Sequence, residues 1–191
     1  MRPSRALKQP TTSILAPVED EAALVSAAQH DLSGFTALYD RYFPAIYRYL
    51  SSSVRTVPEA EDLTAQTFLA AIEALPHYHH RGHFSGWLFT IARNKARDYY
   101  RRRPPEEPLD KSHSDKTEDS LAQVIRSDEI QQLALLVGRL DEDDQELIRL
   151  RCVAELSFAE IGAALGRKEE AVKKNFYRLA ARLQRQLGGE S

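Results

Sequence analysis

The stretch FSGWLFTIARNKARDYYRRR, residues Phe84–Arg103, decides the fold prediction and carries a dense run of positive charge. Its apolar residues recur at intervals of three and four, which predicts a helix with one buried face. The residues on that face are Trp87, Leu88, Ile91, Ala92 and Tyr99. Six basic residues stand against a single acid, Asp98, on the remaining surface, with Tyr100 among them. A cationic and aromatic surface suits a nucleic-acid backbone with unstacked bases beside it, although a solvated basic helix has the same charge pattern.

Length and composition favour a globular protein of the cell interior. At 191 residues the chain has room for one domain or two small ones, and its net charge of −2 conceals a segregation of charge along the chain. Cys152 is the single cysteine, which excludes an intrachain disulfide and favours a reducing, cytoplasmic location. Its apolar surroundings predict a buried, inert thiol. No apolar run reaches the roughly 18 residues of a membrane span, so we expect neither membrane insertion nor a signal peptide.

The residues ahead of Phe84 predict a flexible arm and three helices. The arm covers residues 1–19, and a short helix follows at Ala22–His30. The second helix, about four turns long, contains Pro44, which predicts a kink or a break. The third helix begins after Thr56, with a proline and acidic residues in its first turn, as the helix dipole favours.

An acidic segment separates this part of the chain from a second helical part. Residues 104–128 begin with two prolines and carry few large apolar residues, which predicts a linker. No stretch alternates with a period of two, so we expect an all-α protein. Its predicted parts are two small helical domains, residues 20–103 and 129–187, joined by that acidic linker and followed by a tail, residues 188–191.

A second basic helix stands near the C-terminus, within a helix-turn-helix pattern. Ser157 and Glu160 have capping-box spacing and open a helix at Phe158–Leu165. Gly166 then supplies a turn before a basic helix over 169–187. Two helices joined in this way are typical of DNA-binding proteins whose second helix enters the major groove, and an ordinary helical hairpin is the alternative.

Four segments in this order resemble the extracytoplasmic-function (ECF) group of the sigma-70 family of bacterial RNA polymerase sigma factors. FTALYDRYFPAIYRYL at 35–50 is similar to region 2.1, and AEDLTAQTFLAAIEAL at 60–75 is similar to region 2.2. The basic stretch at 84–103 resembles regions 2.3 and 2.4, and residues 140–183 resemble region 4.

The resemblance implies a non-enzymatic protein without metal or cofactor that binds core RNA polymerase, promoter DNA and an anti-sigma protein. Region 2.2 would dock on the polymerase β′ coiled coil through Asp62, Gln66, Thr67 and Phe68. Regions 2.3 and 2.4 would open the −10 element and hold its non-template strand through His80, His83, Asn94, Lys95, Arg97, Asp98 and Arg101. Region 4 would contact the β flap and read the −35 element through Lys168, Lys173, Lys174, Asn175 and Arg178.

Two features depart from the family pattern. Lys168 stands where the recognition helix usually has a Ser or Thr cap, a loss of about 1 kcal/mol of helix stability. The loop His77–His83 is rich in histidine, but it lacks cysteine or carboxylate partners at a metal-ligand spacing, so we expect solvated or DNA-facing histidines. The helical register of Trp87 favours a core position over a stacking wedge.

Two alternative functions follow from the same residues. One is a helix-turn-helix regulator that works without polymerase, which the region 2.2 segment argues against. The other is an enzyme, for which the chain offers no clustered nucleophile, base and oxyanion donors.

Overall fold

The computed structural model describes residues 21–80, 82–102 and 121–188, apart from the side chains of Leu32 and of residues 121–129. The described residues form α-helices and no strand, which confirms the all-α prediction. The helices are α1 Glu21–His30, α2 Phe35–Ser51, α3 Val57–Ala74, α4 Phe84–Arg102, α5 Leu121–Gly138, α6 Glu142–Ile148, α7 Phe158–Leu165 and α8 Glu169–Gly188. Shorter turns are the 3-10 segments Leu32–Gly34 and Leu75–His77 and the π-helical segment Arg149–Val153. The predicted arm, most of the predicted linker and residues 189–191 lie outside the described residues.

Helices α1 to α4 form the N-terminal bundle around α2. Leu38, Ile46 and Leu50 of α2 have no exposed surface. The helix is continuous through Pro44, so the predicted break does not occur. Helix α3 begins with a capping box, because the Thr56 hydroxyl accepts from the Glu59 amide while the Glu59 carboxylate accepts from the Thr56 amide.

Helix α4 is buried on more than the single face that its sequence predicts. Trp87, Ile91 and Tyr99 are only half-buried, whereas Phe89, which lies outside the predicted apolar stripe, has no exposed surface. The ring of Phe89 meets that of Tyr49 edge to face at 5.5 Å between centroids. The prediction was wrong in this respect because α4 packs against the N-terminal bundle and against α7 as well.

Helices α7 and α8 form the predicted helix-turn-helix. The capping box of Ser157 and Glu160 opens α7. Gly166 ends it in the left-handed region at φ 64°, where a residue with a side chain would be strained. Phe158 and Phe176 pack at 5.6 Å between ring centroids, which holds the two helices together.

The two helical parts share one hydrophobic core. At the crossing of α4 and α7, a Cβ placed on Gly86 would lie 2.4 Å from that of Ala163, so the helices approach as closely as a glycine permits. Two buried hydrogen bonds add to this contact: Ser85 Oγ donates to Glu160 Oε1 at 2.8 Å, and the Tyr49 hydroxyl donates to Glu146 Oε1 at 2.7 Å. Burial together with the nearby Glu146 carboxylate raises the pKa of Tyr49.

The C-terminal part differs from expectation at two further points. Helix α5 starts at Leu121, ahead of the boundary expected at residue 129, and its described part exposes the large apolar side chains Ile130, Leu133 and Leu135. Cys152 is exposed, so the predicted burial of the thiol was wrong, although burial of part of the side chain still raises its pKa. No helix among the described residues is long and apolar enough to cross a bilayer.

Candidate nucleic-acid interface

The outer side of α4 carries a polar and basic strip. The buried residues Ala92 and Ala96 fix the register of the helix, so that their polar neighbours face away from the core. Asn94, Arg97 and Arg101 are exposed, while Lys95 and Asp98 are half-buried. Arg101 Nη2 lies 2.9 Å from Asp98 Oδ1, a solvent-accessible ion pair on successive turns that holds the guanidinium along the helix. Five of the predicted −10 residues are therefore collected on one helix.

Arg93 of the same helix has a different partner, and sequence reasoning missed it. Its Nε lies 3.6 Å from Glu146 Oε1, and both side chains are more than four-fifths buried. Glu146 also pairs with Arg149 at 3.3 Å and accepts from the Tyr49 hydroxyl. Arg93 is thus committed to the contact between the two helical parts and is withdrawn from the basic strip. The spacing of charges in the sequence carries no signal for this, because the partner lies more than fifty residues away.

A cavity of about 440 Å³ opens between the histidine loop, α4 and α7. Its lining residues are His77, Tyr78, His79, His83, Trp87, Thr90 and Ala163. Trp87 packs against Tyr78 at 4.5 Å and against Phe84 at 5.2 Å between ring centroids, and it also lines the cavity. Trp87 therefore lies at the edge of the core, as its helical register predicts, and also forms part of the cavity wall. A concave site with aromatic walls and polar groups has the features that accept an unpaired base.

The histidines of the loop have different environments. His83 is exposed and lines the cavity, and its contact with DNA stays a prediction. His80 is half-buried and turns towards the protein, with its Nε2 4.0 Å from Glu21 Oε2. Within the described part of the chain, no group of three or more potential metal ligands comes together. Gly82, at φ 101°, provides a turn just before α4 that a residue with a side chain rarely adopts.

The outer face of α8 is the second basic surface. Lys168, Lys173 and Lys174 are exposed, and Tyr177 beside them is 43 % exposed. The Lys168 carbonyl accepts from the amides of Ala171 and Val172, so the backbone of this lysine begins the helix in the absence of a Ser or Thr cap.

Asn175 and Arg178 belong to a hydrogen-bonded network beside that surface. Asn175 Nδ2 donates to Asp144 Oδ1 at 3.1 Å, and Asn175 Oδ1 accepts from Arg178 Nη2 at 2.6 Å. Asp144 Oδ2 also pairs with Arg182 at 3.1 Å. Both ends of the Asn175 amide are thus used within the protein, and a base edge would have to compete for them.

The N-cap and the first turn of α6 together place four acids at this network, Asp141, Glu142, Asp143 and Asp144. Asp141 caps the helix by accepting from the Asp144 amide. Arg167 Nη2 lies 2.5 Å from Asp143 Oδ2, and this contact lowers the pKa of Asp143, with smaller contributions from Arg93 and Arg97 of α4. The acidic turn therefore lies within the electrostatic reach of both basic helices.

The residues predicted to contact polymerase divide between surface and core. Asp62 and Gln66 are exposed and joined by a hydrogen bond from Gln66 Nε2 to Asp62 Oδ2 at 2.7 Å. Thr67 and Phe68 are buried, so they cannot make direct surface contacts in this arrangement, and their prediction as contact residues is corrected on that ground. Leu69, which the prediction omitted, is 58 % exposed one turn beyond Gln66. The signal for it was the helical spacing of 62, 66 and 69.

Family models match both helical parts of the chain. Sigma-70 region 2 matches residues 38–104, and Sigma-70, region 4 matches residues 130–183. The chain is 35 % identical over 175 residues to the ECF RNA polymerase sigma factor BldN of Streptomyces coelicolor, covering 86 % of this chain and 64 % of that protein. It is 30 % identical to the ECF RNA polymerase sigma factor SigD of Mycobacterium tuberculosis, covering 85 % of this chain and 81 % of SigD. The chain thus spans less than two thirds of the length of BldN, but most of the length of SigD.

Solved structures show the same fold. The structure of CnrH in complex with the cytosolic domain of CnrY superposes with a TM-score of 0.65 at 26 % identity, covering 91 % of this chain and all of that one. The sigma factor RpoE of Bartonella quintana, in complex with the anti-sigma factor NepR, gives a TM-score of 0.58 at 22 % identity over 80 % of this chain and 95 % of that one.

Proposed function

This chain belongs to the ECF group of sigma-70 RNA polymerase sigma factors, and we propose that it directs promoter-specific transcription initiation as an alternative sigma factor. The observation that carries this conclusion is the presence, in one chain, of both matched regions together with two separate basic helices. Sigma factors are regulators of transcription rather than enzymes, and we extend this to the present chain.

Region 4 would read the −35 element with the exposed side of α8. Lys173 and Lys174 are available for phosphate or guanine contacts because they are exposed and lie near the start of the helix. Tyr177 adds an aromatic contact surface on the same side. Asn175 and Arg178 would take part only after exchanging hydrogen bonds with Asp144 and with each other.

Region 2 would open the −10 element with α4 and the histidine loop. Asn94, Arg97 and Arg101 would follow the backbone of the non-template strand, and the cavity beside Trp87 and His83 would receive an unpaired base. Unpairing costs a few kcal/mol per base, which stacking on an aromatic wall and phosphate contacts offset.

Core polymerase would bind at two surfaces of the sigma factor. The exposed side of α3 with Asp62, Gln66 and Leu69 would meet the β′ coiled coil. The exposed apolar residues of α5, Ile130, Leu133 and Leu135, would meet the β flap. Exposed Leu and Ile side chains on a polar surface favour protein contacts of this kind.

An anti-sigma protein is a further expected partner. CnrH, which has the same fold and 26 % identity, was solved with the cytosolic domain of CnrY. A protein of that kind would cover the surfaces that polymerase needs. The alternative function is a regulator that binds DNA without polymerase. The polymerase-binding experiment described next distinguishes it from a sigma factor.

Binding to core RNA polymerase tests this proposal. Leu69→Asp should weaken binding at least about tenfold, because it places a charge in an apolar contact, whereas Val57→Asp replaces an equally exposed apolar residue of the same helix and should stay within about twofold. Fluorescence anisotropy with a labelled sigma factor measures both. Equal binding by the two variants contradicts the α3 assignment, and no binding by the unaltered protein favours the polymerase-independent regulator.

A further inference from the structure

Helix α1 lies outside the segment that the family model of region 2 matches, yet it is bonded to both ends of the histidine loop. Gln29, in its last turn, donates from Nε2 to the carbonyl oxygens of Leu75 at 2.9 Å and of Tyr78 at 2.7 Å. These two carbonyls mark the place where the chain leaves α3 and enters the loop. One side chain therefore fixes the direction in which the loop departs.

Glu21, in the first turn of α1, holds the other end of the loop. Its carboxylate accepts from the backbone amide of Phe84 at 3.0 Å and from the Tyr42 hydroxyl. Phe84 is the first residue of α4, where an unpaired amide and the positive end of the helix dipole favour a carboxylate. The same carboxylate faces His80 Nε2 at 4.0 Å.

The spacing of Glu21 and Gln29 along α1 lets each side chain reach one end of the loop. They are eight residues apart, which is about two turns and 12 Å of helix, so they project from adjacent faces of α1. Val25 and Ala28, between them, are buried and anchor that rod to the bundle. The loop between the two attachment points contributes Tyr78, His79 and His83 to the wall of the cavity beside Trp87.

We propose that Glu21 and Gln29 are positioning residues for promoter opening, which clamp the histidine loop so that its cavity is formed before an unpaired base arrives. This rests on the proposed sigma function. A loop that is ordered in advance loses less conformational entropy when it captures a strand, so the capture is stronger and faster. Neither residue needs to touch DNA.

The test uses holoenzyme assembled from core polymerase and a forked promoter whose −10 non-template strand is single-stranded, built from templates that the unaltered protein transcribes. Gln29→Ala and Glu21→Ala each remove hydrogen bonds to the loop. Each should lower the affinity for the forked promoter, and the rate of opening of the same promoter as full duplex, about tenfold. Affinity for core polymerase and for a −35 duplex should stay within about twofold. Glu21→Gln keeps an acceptor for the Phe84 amide and should recover most of the activity.

Val25→Ala is the matched control, since it weakens the packing of α1 without removing a bond to the loop. Amide hydrogen exchange of the free protein gives a readout independent of transcription: the clamp variants should speed exchange in the loop between α3 and α4, whereas Val25→Ala should act mainly on α1. If Val25→Ala impairs opening as much as Gln29→Ala at an equal loss of thermal stability, the clamp is only structural and the proposal is overturned. Unchanged opening in both clamp variants overturns it as well. Failure of the unaltered protein to bind core polymerase is a separate result, which rejects the sigma function itself.

Discussion

Ser85 of α4 and Glu160 of α7 are joined by a buried hydrogen bond of 2.8 Å, although 75 residues separate them in the chain. Glu160 has a second role, because its Oε2 accepts from the Ser157 amide at 2.7 Å and so closes the capping box of α7. The carboxylate that begins the helix-turn-helix is therefore the one that ties it to the basic helix of region 2. The local order of region 4 and its attachment to region 2 depend on the same side chain.

Ser85→Ala should lower the free energy of unfolding by about 1–3 kcal/mol, because it leaves one oxygen of a buried carboxylate without its donor. Urea denaturation followed by circular dichroism measures the loss. Ser52→Ala serves as the control, since the Ser52 hydroxyl, at the C-terminal cap of α2, donates to the Tyr49 carbonyl one turn earlier and not across the interface. Equal effects of the two substitutions would show that the contact between α4 and α7 adds nothing to stability.

Gly86→Ala should separate α4 from α7. The added methyl group would lie 2.4 Å from the Ala163 Cβ, a distance that packed carbon atoms do not tolerate, so the helices must move apart. We expect a larger radius of gyration by small-angle scattering and a stability loss of about 1–3 kcal/mol, against a gain of up to about 1 kcal/mol from helix propensity alone.

Two further variants test whether the effect of Gly86→Ala comes from the clash with Ala163. Gly86→Ala combined with Ala163→Gly moves the methyl group across the interface and should restore most of the compact form. Gly138→Ala adds a methyl group where, beyond its own helical turn, no atom of the described residues lies within 4 Å, and it should leave the radius of gyration unchanged. Compaction that survives Gly86→Ala alone would contradict the close crossing of the two helices.

Asp144→Ala should strengthen non-specific DNA binding by region 4. The substitution frees Arg182 and Asn175 from the carboxylate, so up to about one more phosphate contact can form and the dependence of log K on log salt should steepen by up to about one unit. Titration of random duplex DNA at several salt concentrations measures the slope. Glu142→Ala removes the same charge from the same helical turn and should leave the slope nearly unchanged, whereas identical slopes in both variants would indicate a net-charge effect only.

Alkylation of Cys152 tests whether its thiol is accessible to solvent. The thiol is exposed, so iodoacetamide can reach it, but desolvation raises its pKa and leaves less thiolate at pH 8 than an ordinary cysteine has. We expect slower alkylation in the native protein than in urea, with a difference that narrows as the pH rises above 9. A native rate that is negligible at every pH would mean that the side chain is inaccessible after all.

The sequence predicted the features that depend on neighbours along the chain. The capping box at Ser157, the start of α3 after Thr56 and the turn at Gly166 follow from local hydrogen bonding and backbone geometry, and all three are present. The positions of Lys173 and Lys174 on an exposed helix face follow from helical periodicity in the same way.

Features that depend on distant partners were not predictable. Phe89 is buried with its ring against Tyr49 of α2, and Arg93 pairs with Glu146 of α6, so both depend on contacts between distant parts of the chain that no local pattern reports. The hydrogen bond from Asn175 Nδ2 to Asp144 was not predictable for the same reason. The acid that occupies this amide group lies 31 residues away in the sequence. Thr67 and Phe68 show the related limit that a motif identifies a helix but does not say which of its residues face inward.

Run-off transcription distinguishes a sigma factor from a regulator that works without polymerase. Core bacterial RNA polymerase, with and without this protein, is given a pool of templates with random upstream DNA, and the transcribed templates are sequenced. If the protein is a sigma factor, initiation should require it. The transcribed templates should then share two sequence motifs at a fixed spacing, one for each basic helix. Binding to DNA without any protein-dependent initiation would contradict the claim and leave a regulator that works without polymerase.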